Sequence, residues 1–268
     1  MPTPVSEPTT SDTRSTSALR GSRRRLRLPR ALLDAASAPY RRAGRFAWHF
    51  ARGKLSSDPA FGTIVAERWI PPGSRVVDLG CGQGLLASLL EAQGHDCRIR
   101  GIELMRRDIA RARAALGIDG AGQSGAAARI DFVCGDIRTT EFGAADVAVI
   151  LDVLHYLDHD AQETVLDRLR TALGDDGLLL LRVGDASAGL PFRLSNWVDR
   201  VVTFTRGHRL GRLWCRPLAE WRDLLEARGF TVTTIPLSQG TPFANVMLHA
   251  RASPRAAGTR PQSTTAGC

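Results

Sequence analysis

The chain of 268 residues is 43% hydrophobic, which is enough for one globular core with polar tails. It lacks the run of roughly 18 apolar residues that a membrane span needs, and no apolar stretch near Met1 resembles a secretory signal. The five cysteines are odd in number and include no Cys-x-x-Cys pair, which is typical of reduced thiols rather than of disulfides or a metal site. These features predict a cytoplasmic protein without a bound metal.

The net charge of +9 comes from the N-terminal part of the chain. Residues 1–55 carry 12 of the 36 Lys and Arg residues and 3 of the 27 Asp and Glu residues, so the remainder is neutral. The composition predicts a disordered basic tail over residues 1–30. Aromatic residues interleaved with arginines predict an amphipathic helical segment over residues 31–57. This segment either packs on the edge of the domain or acts as a lid or docking surface.

From residue 58 onward, helices and strands alternate. The predicted elements are helix 58–69, strand 75–79, helix 84–93, strand 98–103, helix 106–116, strand 130–134, strand 146–151, helix 160–173, strand 178–183, helix 217–228, strand 230–236 and strand 243–250. This order indicates one α/β domain over residues 58–251, with a parallel sheet covered on both faces. An insertion over residues 185–215 is a candidate substrate lid, and residues 252–268 are predicted to be a disordered tail.

A glycine-rich turn follows the first predicted strand. The run Val76-Val77-Asp78-Leu79-Gly80-Cys81-Gly82-Gln83-Gly84 leads directly into an apolar helix-forming stretch. Glycines are needed where the backbone adopts positive φ or approaches a ligand closely, and a helix start offers free N–H groups and the positive end of a dipole. This corner therefore predicts a site for a nucleotide-like ligand.

Acidic residues follow the next two strands, at the edge of the sheet where ligands bind. Glu103 closes the second strand and can accept both ribose hydroxyl hydrogens, although it also suits the start of the next helix. Asp136 follows the third strand and can accept from an exocyclic amine while the Ile137 N–H faces a ring nitrogen; the alternative is a loop-capping role.

The spacing of the glycines and the sign of one charge discriminate between two ligand classes. Dinucleotide enzymes favour Gly-x-Gly-x-x-Gly, whereas this chain has Gly-x-Gly-x-Gly. Asp78 lies two residues before Gly80, where a carboxylate would repel a pyrophosphate and attract an ammonium or sulfonium group. The pattern thus favours a cationic nucleoside over NAD and places an NAD-dependent oxidoreductase last among the alternatives.

Together these motifs resemble those of class I S-adenosylmethionine-dependent methyltransferases, over about residues 60–250. The resemblance implies S-adenosyl-L-methionine as the cofactor and a Rossmann-like three-layer sandwich whose seven-stranded, mostly parallel sheet has an antiparallel last strand. The glycines would line the methionine and ribose part, Glu103 the ribose hydroxyls, and Leu104 the adenine. The implied cofactor contacts are Asp78, Gly80, Cys81, Gly82, Gly84, Glu103, Leu104, Asp136, Ile137 and Asp152.

The acceptor site is predicted to begin at the end of the fourth strand, in Asp152-Val153-Leu154-His155-Tyr156. His155 is the candidate base because an imidazole titrates near neutral pH; the alternative is an imidazole that only packs. Further candidate substrate contacts are Tyr156, Phe192, Trp197 and His208. An aromatic pocket in the insertion would favour an aromatic or acyl acceptor, unless those rings only pack an edge helix.

Several features favour a small-molecule acceptor over nucleic acid. No Asn-Pro-Pro-Tyr or Asp-Pro-Pro-Tyr follows the fourth strand, and no appended RNA-binding domain is visible. Residues 40–55 and the glycine turn resemble methyltransferases associated with bacterial aryl-polyene pigment pathways. That resemblance implies an aromatic or polyene acceptor, carried by an acidic acyl carrier protein that docks on residues 20–55; anionic membrane lipid is the rival partner. The remaining alternatives are an RNA methyltransferase with a basic arm and a non-catalytic S-adenosylmethionine-binding protein.

Overall fold

The computed structural model describes residues 26–118, 128–184, 213–237 and 245–254. Its α-helices are α1 Arg30–Ser37, α2 Arg45–Ser57, α3 Pro59–Ala66, α4 Leu85–Ala92, α5 Arg106–Leu116, α6 His159–Ala172 and α7 Leu218–Glu226. Short 3-10 turns span Ala38–Arg41 and Leu154–Tyr156. Within these ranges, no helix combines the length and the apolar character that crossing a membrane requires.

Seven strands form one sheet in the order β3-β2-β1-β4-β5-β7-β6. The strands are β1 Arg75–Leu79, β2 Arg98–Glu103, β3 Ile130–Cys134, β4 Ala145–Leu151, β5 Leu173–Gly184, β6 Phe230–Pro236 and β7 Asn245–Ala252. The first five strands are parallel, and β7 runs antiparallel to both β5 and β6. The fold class predicted from the sequence is confirmed, including the antiparallel last strand.

The two faces of the sheet carry separate cores because successive side chains of a strand point to opposite faces. Val76 joins the core under helices α1 to α5, whereas Val77 joins the core under α6 and α7. Strand β4 and the second half of β5 read as nearly continuous apolar runs, as expected for central strands covered on both faces. The result is a three-layer sandwich whose β1 and β4 lie at its centre.

Strand β5 begins earlier than the predicted residue 178. Leu173 already pairs with Ala145, and the register then shifts so that Leu178 pairs with Val147. The intervening Asp176 adopts a φ of 65°. Residues 174–177 are glycine and aspartate, so the apolar pattern that predicts a strand begins only at residue 178. The strand nevertheless starts at Leu173, before this irregularity.

The predicted tail boundaries require correction at both ends. Leu28 is buried in the core, and the Leu26 carbonyl lies over α3 so closely that a Cβ at Gly62 would be 2.2 Å from its oxygen. Leu28 is therefore packed on the domain, although the arginine-rich composition of residues 1–30 predicted disorder. At the other end, β7 continues to Ala252, and the Ser253 N–H donates to the Gly229 carbonyl at 2.8 Å.

The amphipathic segment predicted over residues 31–57 forms α1, a 3-10 turn and α2. Tyr40, Ala47 and Leu55 are fully buried in the same core as α4 and α5. These helices therefore share their core with the predicted domain 58–251. Most of the predicted insertion 185–215 lies outside the described residues; its last three residues return the chain to the site.

Candidate active site

The glycine turn connects β1 to α4 at the carboxyl edge of the sheet. The N–H groups of Gly80 and Cys81 both donate to the carbonyl of Ile102 on β2, at 2.8 and 3.2 Å. Gly80, Gly82 and Gly84 adopt φ values of 73°, 54° and 72°. These left-handed conformations favour glycine strongly, because a Cβ clashes with the backbone there.

The three glycines have different surroundings. A Cβ at Gly80 would lie 2.2 Å from Cγ2 of Val153, and one at Gly84 would lie 2.5 Å from Cζ of Phe132. A Cβ at Gly82, in contrast, would meet no heavy atom within 4 Å. Gly80 and Gly84 therefore serve packing, with Val153 bringing the end of β4 against the turn, and Gly82 leaves space in which a ligand can approach the backbone.

Glu103 faces this turn from the end of β2. Its Oε2 accepts from the Gly82 N–H at 3.1 Å, and its Oε1 accepts from the Met105 N–H at 2.9 Å, just before α5. The carboxylate therefore stabilises the helix start, which is one of the two roles considered from the sequence, and it also lies against the turn. Its contact with ribose hydroxyls stays a prediction.

Asp78 is a buried carboxylate beside Glu103, with only 5% of its surface exposed. Burial, and to a smaller extent the negative charge of Glu103, raise the pKa of Asp78 to about 7. Asp78 forms no ion pair within the described ranges. A cationic group would lower this pKa and recover the cost of burying the charge, so the site fits a sulfonium or ammonium ligand and disfavours a pyrophosphate.

The predicted adenine contacts lie together at the ends of β2 and β3. The Gly135 N–H donates to the Glu103 carbonyl at 3.0 Å, which holds the two strand ends together. Leu104, which follows β2, is 62% exposed, whereas Ile137, which follows the neighbouring strand β3, is buried. An exposed leucine at this corner is available for a flat apolar ring, as the resemblance implied.

Asp136 has a local partner that the sequence analysis did not include. Arg138 donates from its Nε to both carboxylate oxygens, at 3.0 and 2.9 Å, and from its backbone N–H to Oδ1 at 2.9 Å. The side-chain hydrogen bonds of Arg138 hold the pKa of Asp136 below its usual range. A predicted contact between Asp136 and an exocyclic amine would therefore share this carboxylate with Arg138.

Asp152 follows β4 and adopts a φ of 59°. Its carboxylate receives the guanidinium of Arg182 from β5, whose Nε is 2.8 Å from Oδ1 and whose Nη2 contacts Oδ2. Arg182 also contacts Asp58, and Lys54 lies 2.9 Å from the second oxygen of Asp58. This buried network of alternating charges links α2, the start of α3, β4 and β5 beneath the site.

His155 and Tyr156 occupy the 3-10 turn after β4. Their rings are 4.2 Å apart between centroids, His155 is half-buried and Tyr156 is 42% exposed. His155 also lines a small cavity together with Arg182, Cys215 and Trp221. The other predicted substrate contacts, Phe192, Trp197 and His208, lie outside the described residues.

Gln162 connects the segment that follows the predicted insertion to the 3-10 turn that contains His155. It is fully buried, and its Nε2 donates to the carbonyls of Leu154 and Trp214 at 3.1 and 2.7 Å. Its Oε1 accepts from Nε of Arg216 at 2.8 Å, and the Trp214 N–H donates to the His155 carbonyl at 2.9 Å. Residues 213–217 therefore form one wall beside His155.

Comparison with known proteins agrees with this geometry. The methyltransferase domain family matches residues 47–235. The chain belongs to this family. Its fold and glycine turn are those of the class I methyltransferases, whose cofactor is S-adenosylmethionine, so the family and cofactor predicted from the motifs are confirmed.

Individual matches are more distant. The methyltransferase is 32% identical over 133 residues to the carboxy-S-adenosyl-L-methionine synthase of Chromohalobacter salexigens, which covers 47% of each chain. It spans about half the length of the curated relatives it matches. Among solved structures, the magnesium protoporphyrin IX methyltransferase ChlM from Synechocystis PCC 6803 with bound SAH is 20% identical, covering 70% of this chain and 78% of that chain, with a TM-score of 0.51. The pyocyanin biosynthetic protein PhzM is 22% identical over 81% and 61%, with a TM-score of 0.56.

Three residues near the site were not predicted from the sequence. Arg182 lies in an apolar strand and Gln162 in an amphipathic helix. Tyr40 is 43 residues away from Gln83 of the glycine turn. The charged Arg182 within the run Leu-Leu-Leu-Leu-Arg-Val was the one detectable anomaly, since a buried arginine needs a partner. The partner itself depends on strand order and was not predictable from spacing.

Proposed function

We propose that this protein transfers a methyl group from S-adenosylmethionine to a small-molecule acceptor. The observation that carries the proposal is the buried Asp78 carboxylate, whose pKa of about 7 reflects burial and Glu103, beside the open backbone of Gly82. A ligand that carries a positive charge beside a ribose matches this set of groups. The curated relatives are named for a derivative of the same cofactor, which supports this ligand.

S-adenosylmethionine supplies an electrophilic methyl group, so the protein mainly has to orient the two reactants. Gly82 and the other turn glycines, Glu103 and Leu104 would hold the adenosine part, with Asp78 close to the methionine end. Arg182 holds Asp152 at the end of β4, where the acceptor is expected. His155 is the proposed base that removes a proton from the acceptor.

The acceptor is proposed to be aromatic, or a polyene or acyl intermediate. Support comes from the rings of His155 and Tyr156 at the end of β4. Aromatic side chains at a site suit such acceptors better than sugars or amino acids. The neighbours ChlM and PhzM are also named for ring compounds, although they share only the fold.

An acidic acyl carrier protein is the proposed partner, docking on the basic segment within residues 20–55. Arg41, Arg42 and Arg45 are exposed there, and Phe46 is 62% exposed. The guanidinium of Arg111 lies 4.9 Å from the Phe46 ring centroid, so α5 extends the basic surface. A protruding aromatic ring among arginines can serve as an anchor in a protein interface, and anionic lipid is the rival partner for the same surface.

The function is tested by incubating the protein with methyl-labelled S-adenosylmethionine and a cell extract, and identifying the labelled product by mass spectrometry. We expect label in a small molecule. Label in RNA would instead support a nucleic-acid methyltransferase, and tight cofactor binding without any transfer would support a regulatory binding protein. Binding of NAD without binding of S-adenosylmethionine would overturn the proposal.

A further inference from the structure

The back of the glycine turn is contacted by a tyrosine that lies outside the region matched by the methyltransferase family, residues 47–235. Tyr40 belongs to the 3-10 turn Ala38–Arg41 and is fully buried. Its hydroxyl donates to the backbone carbonyl of Gln83 at 2.8 Å. This hydrogen bond joins two parts of the chain that are 43 residues apart and connects the N-terminal segment with the turn itself.

The position of this carbonyl gives the bond its importance. Gln83 lies between Gly82 and Gly84, which both have positive φ and lack side chains that restrict the backbone. A buried carbonyl without a donor is unfavourable, so Tyr40 stabilises the peptide orientation that the turn adopts. Burial raises the pKa of Tyr40 further above its ordinary value, so its hydroxyl remains a donor at neutral pH.

Further contacts surround this bond. The hydroxyl of Ser88 on α4 donates to the Ala36 carbonyl on α1 at 2.8 Å. The side-chain amide of Gln83 donates to Oδ1 of Asp108 on α5 at 3.2 Å. We call residues 30–44 the N-terminal clamp, because this segment is bonded both to the turn and to the helix that follows it.

We propose that Tyr40 is a positioning residue for the cofactor: the N-terminal clamp holds the glycine turn in its binding conformation, and cofactor binding in turn stabilises the clamp. The second half follows from linkage, since a clamp that favours binding must be favoured by the bound ligand to the same degree. The proposal rests on the proposed function, because it assumes that the turn binds S-adenosylmethionine.

The test compares the binding of S-adenosylhomocysteine, a stable product analogue, by the wild type and the Tyr40→Phe variant in calorimetry. The variant retains the buried ring but leaves the Gln83 carbonyl without its donor, so we expect roughly tenfold weaker binding. The matched control is Asp34→Asn. The Asp34 carboxylate accepts from Arg52 at 2.5 Å on the outer side of the same clamp. Within the described residues it makes no hydrogen bond or ion pair with the glycine turn, so this variant should bind like the wild type.

Limited trypsin digestion supplies a readout that a purely structural role would not produce. Arg41, Arg42 and Arg45 are exposed cleavage sites beside Tyr40, and cleavage requires local opening of the clamp. Saturating S-adenosylhomocysteine should slow cleavage at these arginines several-fold in the wild type and in Asp34→Asn, but much less in Tyr40→Phe. If Tyr40→Phe fails to fold, Ser88→Ala removes the neighbouring bond and should show the same loss of protection.

The outcomes separate the two proposals. Wild-type protein that does not bind S-adenosylhomocysteine would contradict the proposed function, and this inference with it. Wild-type binding that is unchanged in Tyr40→Phe, or weakened equally in Asp34→Asn, would overturn the role of Tyr40 while leaving the methyltransferase intact. Ligand-independent cleavage at the clamp in the wild type would overturn the coupling.

Discussion

A single buried carboxylate at the end of β1 constrains which ligand the glycine turn can accept. Asp78 is next to Glu103, and burial together with this like charge raises its pKa from 3.8 to about 7. A second anion at this place, such as a pyrophosphate, would add to the repulsion. A cation relieves this repulsion, so Asp78 makes the site select its ligand by charge as well as by shape.

Asp78 predicts a pH dependence of cofactor binding. A cationic ligand favours the ionised carboxylate, so the affinity for S-adenosylmethionine should increase as the pH rises from 6 to 8, by up to about tenfold per pH unit below the pKa. Calorimetry should show a flatter profile for Asp78→Asn. Asp146→Asn, which removes an exposed carboxylate paired with Arg75, is the control and should retain the wild-type profile.

The same residue predicts the pH dependence of stability in the absence of ligand. Because the folded pKa is raised, the native state retains a proton between pH 3.8 and about 7 that the unfolded state releases. The contribution of Asp78 is therefore fully present below this window and is lost as the pH rises through it. Chemical unfolding should show Asp78→Asn gaining stability relative to the wild type across that range; a constant difference would contradict the prediction.

His155 predicts a separation between catalysis and binding. Its imidazole lines a cavity at the end of β4 whose lining includes no residue of the glycine turn. Once an acceptor is identified, His155→Ala should lower kcat by about 100-fold, as expected for loss of a general base, and leave the affinity for S-adenosylhomocysteine nearly unchanged. Tyr156→Phe is the neighbouring control. Unchanged turnover in His155→Ala would remove this residue from the mechanism.

At the scale of elements, Arg182 connects parts of the chain that have no sequence proximity. Its guanidinium is buried between Asp152 after β4 and Asp58 at the start of α3. Asp58 also accepts from the Ala60 N–H at 2.9 Å and so caps α3. The network fixes where α3 begins relative to the end of β4, and hence the shape of the acceptor side.

This network predicts a large effect of a single substitution. Arg182→Met keeps much of the side-chain volume but leaves the buried Asp58 with only the partly exposed Lys54 and leaves Asp152 without its cation. We expect a loss of about 3 kcal/mol in the free energy of unfolding. Arg75→Met breaks an exposed pair with Asp146 and should cost less than about 1 kcal/mol. Denaturant unfolding of both variants checks the contrast, and equal costs would contradict it.

At the scale of the whole molecule, the positive charge and the active site lie on different parts of the chain. The net charge of +9 arises within residues 1–55, while the sheet and its site are built from the electrically balanced remainder. The helices of that basic segment are nevertheless packed into the core beside α4 and α5. A partner docked there would therefore bind to helices that share a core with α4 and α5.

Charge reversal tests the proposed docking surface. Arg41→Glu, Arg42→Glu and Arg45→Glu together should weaken binding to an acidic acyl carrier protein at least tenfold and reduce its salt dependence, because rim charges mainly steer association. Arg98→Glu, Arg222→Glu and Arg251→Glu change three exposed arginines elsewhere and serve as the matched control. Binding to vesicles containing 30% phosphatidylglycerol, with no binding to the carrier protein, would identify lipid as the partner. Salt-insensitive binding would contradict electrostatic docking.

Predictability differed between the elements for physical reasons. Strands β1, β2 and β3 have the predicted bounds because each apolar run is closed by glycine or by a charged residue. The burial of Leu28 was missed because an arginine-rich stretch indicates disorder, whereas Leu28 lies in the core and the Leu26 carbonyl lies against Gly62. Local composition does not report such long-range burial.

The sequence by itself determined the sheet, the glycine turn and the identity of the cofactor. These depend on hydrophobic periodicity and on glycines and carboxylates within a few residues of each strand end, and both are local properties of the chain. Only the tertiary structure showed that Tyr40 supports the turn and that Arg182 joins Asp58 to Asp152. Those contacts bridge 43 and more than 100 residues, and they form because folding brings buried polar groups together that must then be paired.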